Sequence, residues 1–261
     1  MPSTAIAIAP VSPRSFVAGH PAGPEACGDA RQRTGRHINA VLRLFATLAL
    51  KRRIVRDGDV IYRVGEQFDR LYVLNSGFFK SVNLSPDGRE QVVGLKFRGD
   101  WLGFDGIASR RYSCDAIAMD TGEIWGVRYD MLLAACAVHP ELLAAVYEAM
   151  SREIARDHDS LMSVCTLPAD ARVADFLCNW SEAMASRGMR TDQISLRMSR
   201  AEIGSYLGMT LESVSRALSR LARNQLIDFA EKDRRAIRIS CLEALAEFVQ
   251  KCLSPASATL Q

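Results

Sequence analysis

The chain has 261 residues, with 33 Lys+Arg against 30 Asp+Glu and a net charge of +3. Its length supplies one large domain or two modest ones, and so small a charge excess names no partner. The seven cysteines are odd in number and scattered, and no run of about 18 apolar residues occurs, which excludes a disulfide framework and a transmembrane helix.

Residues 1–36 carry Pro2, Pro10, Pro13, Pro21 and Pro24 among small residues, and are expected to form a flexible arm. Met1-Pro2-Ser3-Thr4 opens neither a basic stretch nor a long apolar run, so a secretory signal is not expected and the cytoplasm is the predicted location. Ile38, Val41, Leu42, Phe45 and Leu48 predict a short helix.

From Lys51 to about Arg128, short runs rich in Val, Ile, Tyr and Phe alternate with turn signals. The turns are Asp57-Gly58, Gly65-Glu66, Ser76-Gly77, Asp87-Gly88 and Gly99-Asp100. Such spacing predicts a compact antiparallel β-roll over 37–138, with Ser85-Pro86-Asp87-Gly88 at a hairpin tip.

After His139-Pro140 the period turns helical. Leu143, Tyr147, Met150, Ile154, Asp157, Leu161 and Val164 recur at alternating steps of four and three, a heptad seam. A helix packed on the β-roll would account for it, but a strict seam favours a second copy, and a dimerisation helix is expected over 139–165. Asp157 interrupts the seam: it is either solvated at the rim, or it faces its own copy and keeps the dimer marginal.

The strongest signal lies at 199–223. Ser199 and Glu202 make the S-x-x-E capping box of a helix through Ile203 and Leu207. Gly208 supplies the turn, and Thr210 caps a second helix with Val214, Ala217, Leu218 and Leu221 on one apolar face. Two short helices about a glycine turn predict a helix-turn-helix. The outward face carries Glu212, Ser215, Arg216, Ser219, Arg220 and Arg223. Arg216 can donate two parallel bonds to guanine and Glu212 can accept from cytosine; the plainer alternative is a solvated Glu–Arg surface pair. Leu226–Phe229 and Ala236–Ile239 flank a turn with Lys232, Arg234 and Arg235, and predict a wing. Between Arg187 and Arg238 eleven Lys/Arg face six acids, so the basic surface concentrates in the expected DNA-binding domain, 166–253, ahead of a tail at 254–261.

Roll, heptad helix and winged helix-turn-helix make an α+β chain. Its parts are an N-terminal antiparallel β-roll, a long dimerisation helix, and a C-terminal winged helix-turn-helix. Over about 38–250 this resembles the Crp/Fnr family of bacterial regulators, and most closely its FNR and FixK branch, which implies that the roll is a jelly roll like that of cyclic-nucleotide-binding domains. The resemblance rests on Gly99-Asp100-Trp101-Leu102-Gly103-Phe104-Asp105, Arg172-Val173-Ala174-Asp175-Phe176-Leu177 and the stretch Met198–Arg216. It implies a homodimer binding double-stranded DNA, with Glu212, Ser215 and Arg216 reading a TTGAT-N4-ATCAA-like inverted repeat. Ser199, Arg200, Thr210, Ser213, Arg220, Arg234 and Arg235 are further expected DNA contacts; Leu143, Tyr147, Met150, Ile154, Asp157 and Leu161 are the expected dimer seam. It also implies an activator that touches RNA polymerase near Asp87 and Gly88.

Three departures narrow the sensor. The FNR cluster needs four thiolates, whereas the arm has only Cys27 and the roll ligand's position is Trp125, so no metal and no cofactor are expected. Cyclic-nucleotide members carry Gly-Glu and Arg-Ser/Thr, whereas here Gly103 precedes Phe104 and the later stretch reads Ser113-Cys114-Asp115. No His lies between His37 and His139, which argues against a His-ligated haem in the roll and against an enzyme built on it. The alternative is a ligand-gated regulator or repressor whose roll takes an unidentified small molecule. Cys114 reads as a small buried hydrophobe; Cys165 and Cys178, flanking the hinge, read as structural thiols or as sites of oxidation.

Overall fold

The computed structural model describes residues 50–85, 88–185, 187–189, 193–230 and 233–253. The arm, the helix expected at 38–48, Cys27, Asp87, Lys232 and the tail lie outside these residues.

Among the described residues eight strands build the roll: β1 (Lys51–Val55), β2 (Val60–Tyr62), β3 (Arg70–Ser76), β4 (Phe79–Leu84), β5 (Glu90–Lys96), β6 (Trp101–Leu102), β7 (Asp115–Ala118) and β8 (Gly122–Arg128). They form two antiparallel sheets, ordered β1-β8-β3-β6 and β2-β7-β4-β5. Leu71, Val73, Phe79, Ala116, Ala118, Ile124 and Val127 are buried together in the core of the roll. At Gly77, φ is +91° and a Cβ would lie 2.9 Å from the Gly122 Cα, so only glycine fits between these strand ends. Two helices that the strand pattern did not suggest follow the roll's edges, α1 (Gly106–Ser109) and α2 (Tyr129–Val138).

Pro140 opens the long helix α3 (Pro140–Thr166), where its missing N–H has no partner to lose. This helix has two apolar faces. Leu142, Ala145, Val146 and Ala149 are buried in the roll core. Tyr147, Ile154 and Leu161, seven residues apart, stand 62%, 53% and 61% exposed. Asp157 is exposed between them, while Leu143 and Met150 are half-buried against the roll. Val164, the last heptad position, lies against the helix-turn-helix turn, with its Cγ1 3.5 Å from where a Gly208 Cβ would sit.

The C-terminal part packs α4 (Ala169–Ala185), α5 (Arg200–Leu207), α6 (Leu211–Arg223) and α7 (Leu242–Leu253) with a three-stranded sheet. That sheet is ordered β10 (Ile227–Ala230), β11 (Asp233–Ile239), β9 (Gln193–Ser195). The predicted hairpin is β10–β11; β9 is a third strand that its short run did not signal. Among the described residues no helix is long and apolar enough to cross a membrane.

Candidate nucleic-acid interface

Local chemistry fixes both helices of the motif. The Ser199 hydroxyl accepts from the Glu202 N–H (3.2 Å), and the Glu202 carboxylate accepts from the Ser199 N–H (2.7 Å), closing the capping box. Burial alone would raise the Glu202 carboxyl, but the Lys80 ammonium and the Ser199 N–H outweigh it and hold it below the usual range. Gly208 ends α5 in the left-handed region, at φ 62°. Gly204 is required for a different reason. A Cβ there would stand 2.6 Å from the Met209 carbonyl oxygen, and the Met209 N–H donates to the Gly204 carbonyl at 2.8 Å. Only a bare backbone lets the turn close this tightly.

Thr210 then caps α6 by accepting from the Ser213 N–H at 3.2 Å. Val214, Ala217, Leu218 and Leu221 are at most 1% exposed, and each Val or Leu contributes about 1.5–3 kcal/mol through burial. Their anchoring turns the opposite face outward. Ser215, Arg216, Ser219, Arg220 and Arg223 line an open concavity of about 390 Å³.

On that face the expected contacts differ in how free they are. Glu212 and Arg216 are exposed, and among the described residues neither is held in an ion pair, so the surface-pair alternative does not describe them here. Arg220 is committed: its guanidinium makes a two-pronged pair with Asp170 at the start of α4. Ser199 is occupied by its cap, Thr210 and Ser213 bond to each other at 3.1 Å, and Arg200 lies 5.6 Å from the Phe229 ring centroid. Arg234 and Arg235 fall on β11 beside the wing turn. At the roll's hairpin tip, Gly88 has open space around it and a φ of +80°.

Arg172, the first residue of the Arg172–Leu177 motif, has a structural task. Its guanidinium donates to the Leu207 carbonyl (2.9 Å) and to the Leu167 carbonyl (3.0 Å). It thereby serves the negative C-terminal ends of α5 and α3 together, and ties the long helix to the helix-turn-helix.

An α-helix packed to present one polar, arginine-bearing face beside a basic wing suits a major groove. Residues 171–248 match the Crp-like helix-turn-helix domain, and residues 52–139 match the cyclic nucleotide-binding domain. The transcriptional activator protein Anr of Pseudomonas protegens is 34% identical over 67% of this chain and 72% of its own length. The fumarate and nitrate reduction regulatory protein of Yersinia pestis is 31% identical over 76% of this chain and 78% of its own. The chain belongs to the Crp/Fnr family of transcription regulators. Among solved structures, FixK2 from Bradyrhizobium japonicum superposes with a TM-score of 0.68 at 26% identity, covering 81% of this chain and 100% of that one. This Crp/Fnr protein is thus a DNA-binding regulator and not an enzyme.

Its roll does not fit a cyclic nucleotide. Tyr62 and Tyr112, each 3% exposed, stack with centroids 3.8 Å apart, and the Tyr112 hydroxyl donates to the Arg70 carbonyl at 2.8 Å. Beside them the Asp105 carboxylate accepts from the Ser113 N–H (2.7 Å) and hydroxyl (2.8 Å). The Ser113 donors are therefore already satisfied by a side chain of the roll itself, and Phe104 is stacked on Trp101 with centroids 5.6 Å apart. Nor do the roll residues fit an iron–sulfur cluster. Trp125 packs its ring beneath Arg52 and donates its indole N–H to Glu123 at 2.8 Å. Cys114 is a buried thiol pushed up to about 12, first by burial and then by Asp105. Cys178 is buried and pushed up to about 12 as well, whereas Cys165 is exposed at the end of α3, outside any core.

Proposed function

We propose that this regulator binds a TTGAT-N4-ATCAA-like inverted repeat as a homodimer in the cytoplasm, without a small-molecule ligand in its roll. The observation that carries this reading is that Glu212 and Arg216 are exposed on the outward face of α6, with no ion pair to either among the described residues. A carboxylate facing DNA is repelled by phosphate unless it reads a base edge, and an adjacent free guanidinium supplies the matching guanine contact. The apolar line Tyr147, Ile154 and Leu161 supports a parallel partner helix, which would place two recognition helices about one DNA turn apart. The relative Anr is named as a transcriptional activator, and activation through RNA polymerase near Asp87 and Gly88 is the corresponding role here. The filled Tyr62–Tyr112 interior favours control through protein level over gating by a nucleotide.

The test is aerobic binding to the repeat and to a scrambled duplex at two salt concentrations, with no ligand added. Selective binding is expected; weak, unselective binding would mean that an activating signal is missing and would restore the ligand-gated alternative. Arg216→Ala should cost roughly 1–3 kcal/mol and flatten discrimination at one guanine per half-site. An equal loss on every sequence would reduce Arg216 to a phosphate contact.

A further inference from the structure

The roll, the long helix and the DNA-binding part meet at one buried carboxylate. Asp100, in the turn between β5 and β6, is 7% exposed. Its Oδ2 accepts from the Phe97 N–H (2.9 Å) and from Arg156 Nη1 of α3 (2.8 Å), and its Oδ1 accepts from Arg187 Nη2 (3.1 Å), just past α4. Arg187 also donates to the Arg98 carbonyl (2.7 Å) and the Ala183 carbonyl (2.7 Å), and lies 5.0 Å from the Phe97 ring centroid. Each of the three parts thus supplies a group to a single ionic node. Next to it, the buried Lys96 ammonium of β5 pairs with Glu153 of α3 at 2.6 Å.

A second set of contacts lies along β5, an edge strand with open backbone groups. The Val92 N–H donates to the Ser205 hydroxyl (2.9 Å), and that hydroxyl donates to the Glu90 carbonyl (3.1 Å). The Gln91 amide donates to the Ser205 carbonyl, and Lys80 pairs with Glu202. Helix α5 is therefore docked on the roll as if it completed the sheet edge. None of these bonds uses Glu212, Ser215 or Arg216, so they act on where the recognition face points and not on what it touches.

We infer that Asp100 and Arg187 are positioning residues that fix the helix-turn-helix relative to α3 and so set the half-site spacing a dimer accepts. Two recognition helices held at a fixed separation read half-sites at a matching separation. Loosening the node leaves each helix able to read its own half-site but lets the pair tolerate other spacings. This rests on the inverted-repeat reading above.

The test uses the full chain carrying Arg187→Ala, and Arg187→Lys, which keeps the charge but not the planar fork. Both are assayed on a single half-site and on inverted repeats with shortened, matched and lengthened spacers, with sedimentation to check the dimer. For Arg187→Ala we expect single-site affinity within about twofold of wild type, matched-repeat affinity about tenfold weaker, and a flattened spacing profile, with Arg187→Lys in between. An equal loss on single site and repeat, or an unchanged spacing profile, overturns the inference. Hydrogen exchange at Val92 and its β5 neighbours gives a readout free of DNA. If wild type discriminates no duplex, the inverted-repeat reading fails, and exchange decides. Faster β5 exchange in Arg187→Ala then upholds the positioning role, and unchanged exchange overturns it.

Discussion

Truncating Trp180 to alanine is expected to destabilise the fold by about 3–5 kcal/mol, the usual cost of removing a large buried aromatic. Trp180 is 2% exposed in α4 and stacks on Phe78 at 5.7 Å and 12°. It also meets Phe97 edge-on at 5.2 Å and 81°, and Phe176 at 5.6 Å. Phe78 and Phe97 belong to the roll, so this one ring joins two bodies whose apolar contact also runs through Val82, Val92, Leu95, Ile117 and Met119. The expected signature is more than a lowered midpoint. The denaturant transition should broaden or split as the roll and the DNA-binding part begin to unfold separately. Trp180→Phe should recover much of the loss, since the indole N–H has no hydrogen-bond partner among the described residues. A single, unshifted transition for Trp180→Ala would show that the two bodies are coupled elsewhere.

Ile154→Arg should convert a dimer into monomers and weaken binding to an inverted repeat about a hundredfold or more. Ile154 is exposed in the single chain, so the substitution leaves the packed face of Leu142, Ala145, Val146 and Ala149 untouched. In a symmetric pair the two guanidiniums would face each other across an apolar seam, where desolvation and repulsion add. The weakening follows from lost avidity, because each half-site is then bound independently. Sedimentation and gel shift on the same preparation check it, with binding to a single half-site unchanged. A wild-type chain that already sediments as a monomer would remove the seam from the account.

What the sequence revealed was what is written locally. The capping box at Ser199 and Glu202, the αL residue Gly208, the Thr210 cap and the apolar face of α6 each depend on neighbours within about one helical turn, so their spacing is enough. The roll's turns were legible for the same reason: Gly58, Gly65, Gly77, Gly88 and Gly99 all take positive φ. Long-range pairings left no such trace. Nothing in the neighbourhood of Asp100 announces Arg187, and Tyr62 and Tyr112 meet only because β2 and the stretch before β7 are adjacent in the folded roll. Periodicity placed Arg220 on the outward face but could not show that Asp170 holds it. Ser213 sits on the same turn as Glu212 and Ser215, yet its hydroxyl is engaged by Thr210. The strand β9 has three residues, too few to show alternation.

Glu202 carries two structural roles on one carboxylate: it accepts the Ser199 N–H that starts α5 and pairs with Lys80 of the roll. Lys80 and Ser199 are therefore thermodynamic neighbours without being paired to one another. The Ser199 hydroxyl, which accepts the Glu202 N–H, and Lys80 both hold Glu202 in place, so in a double-mutant cycle Lys80→Ala and Ser199→Ala should be non-additive, with a coupling that vanishes when Glu202 is already alanine. Such a cycle would treat the helix cap as a relay, in which how firmly a helix begins depends on whether a separate domain holds its third residue.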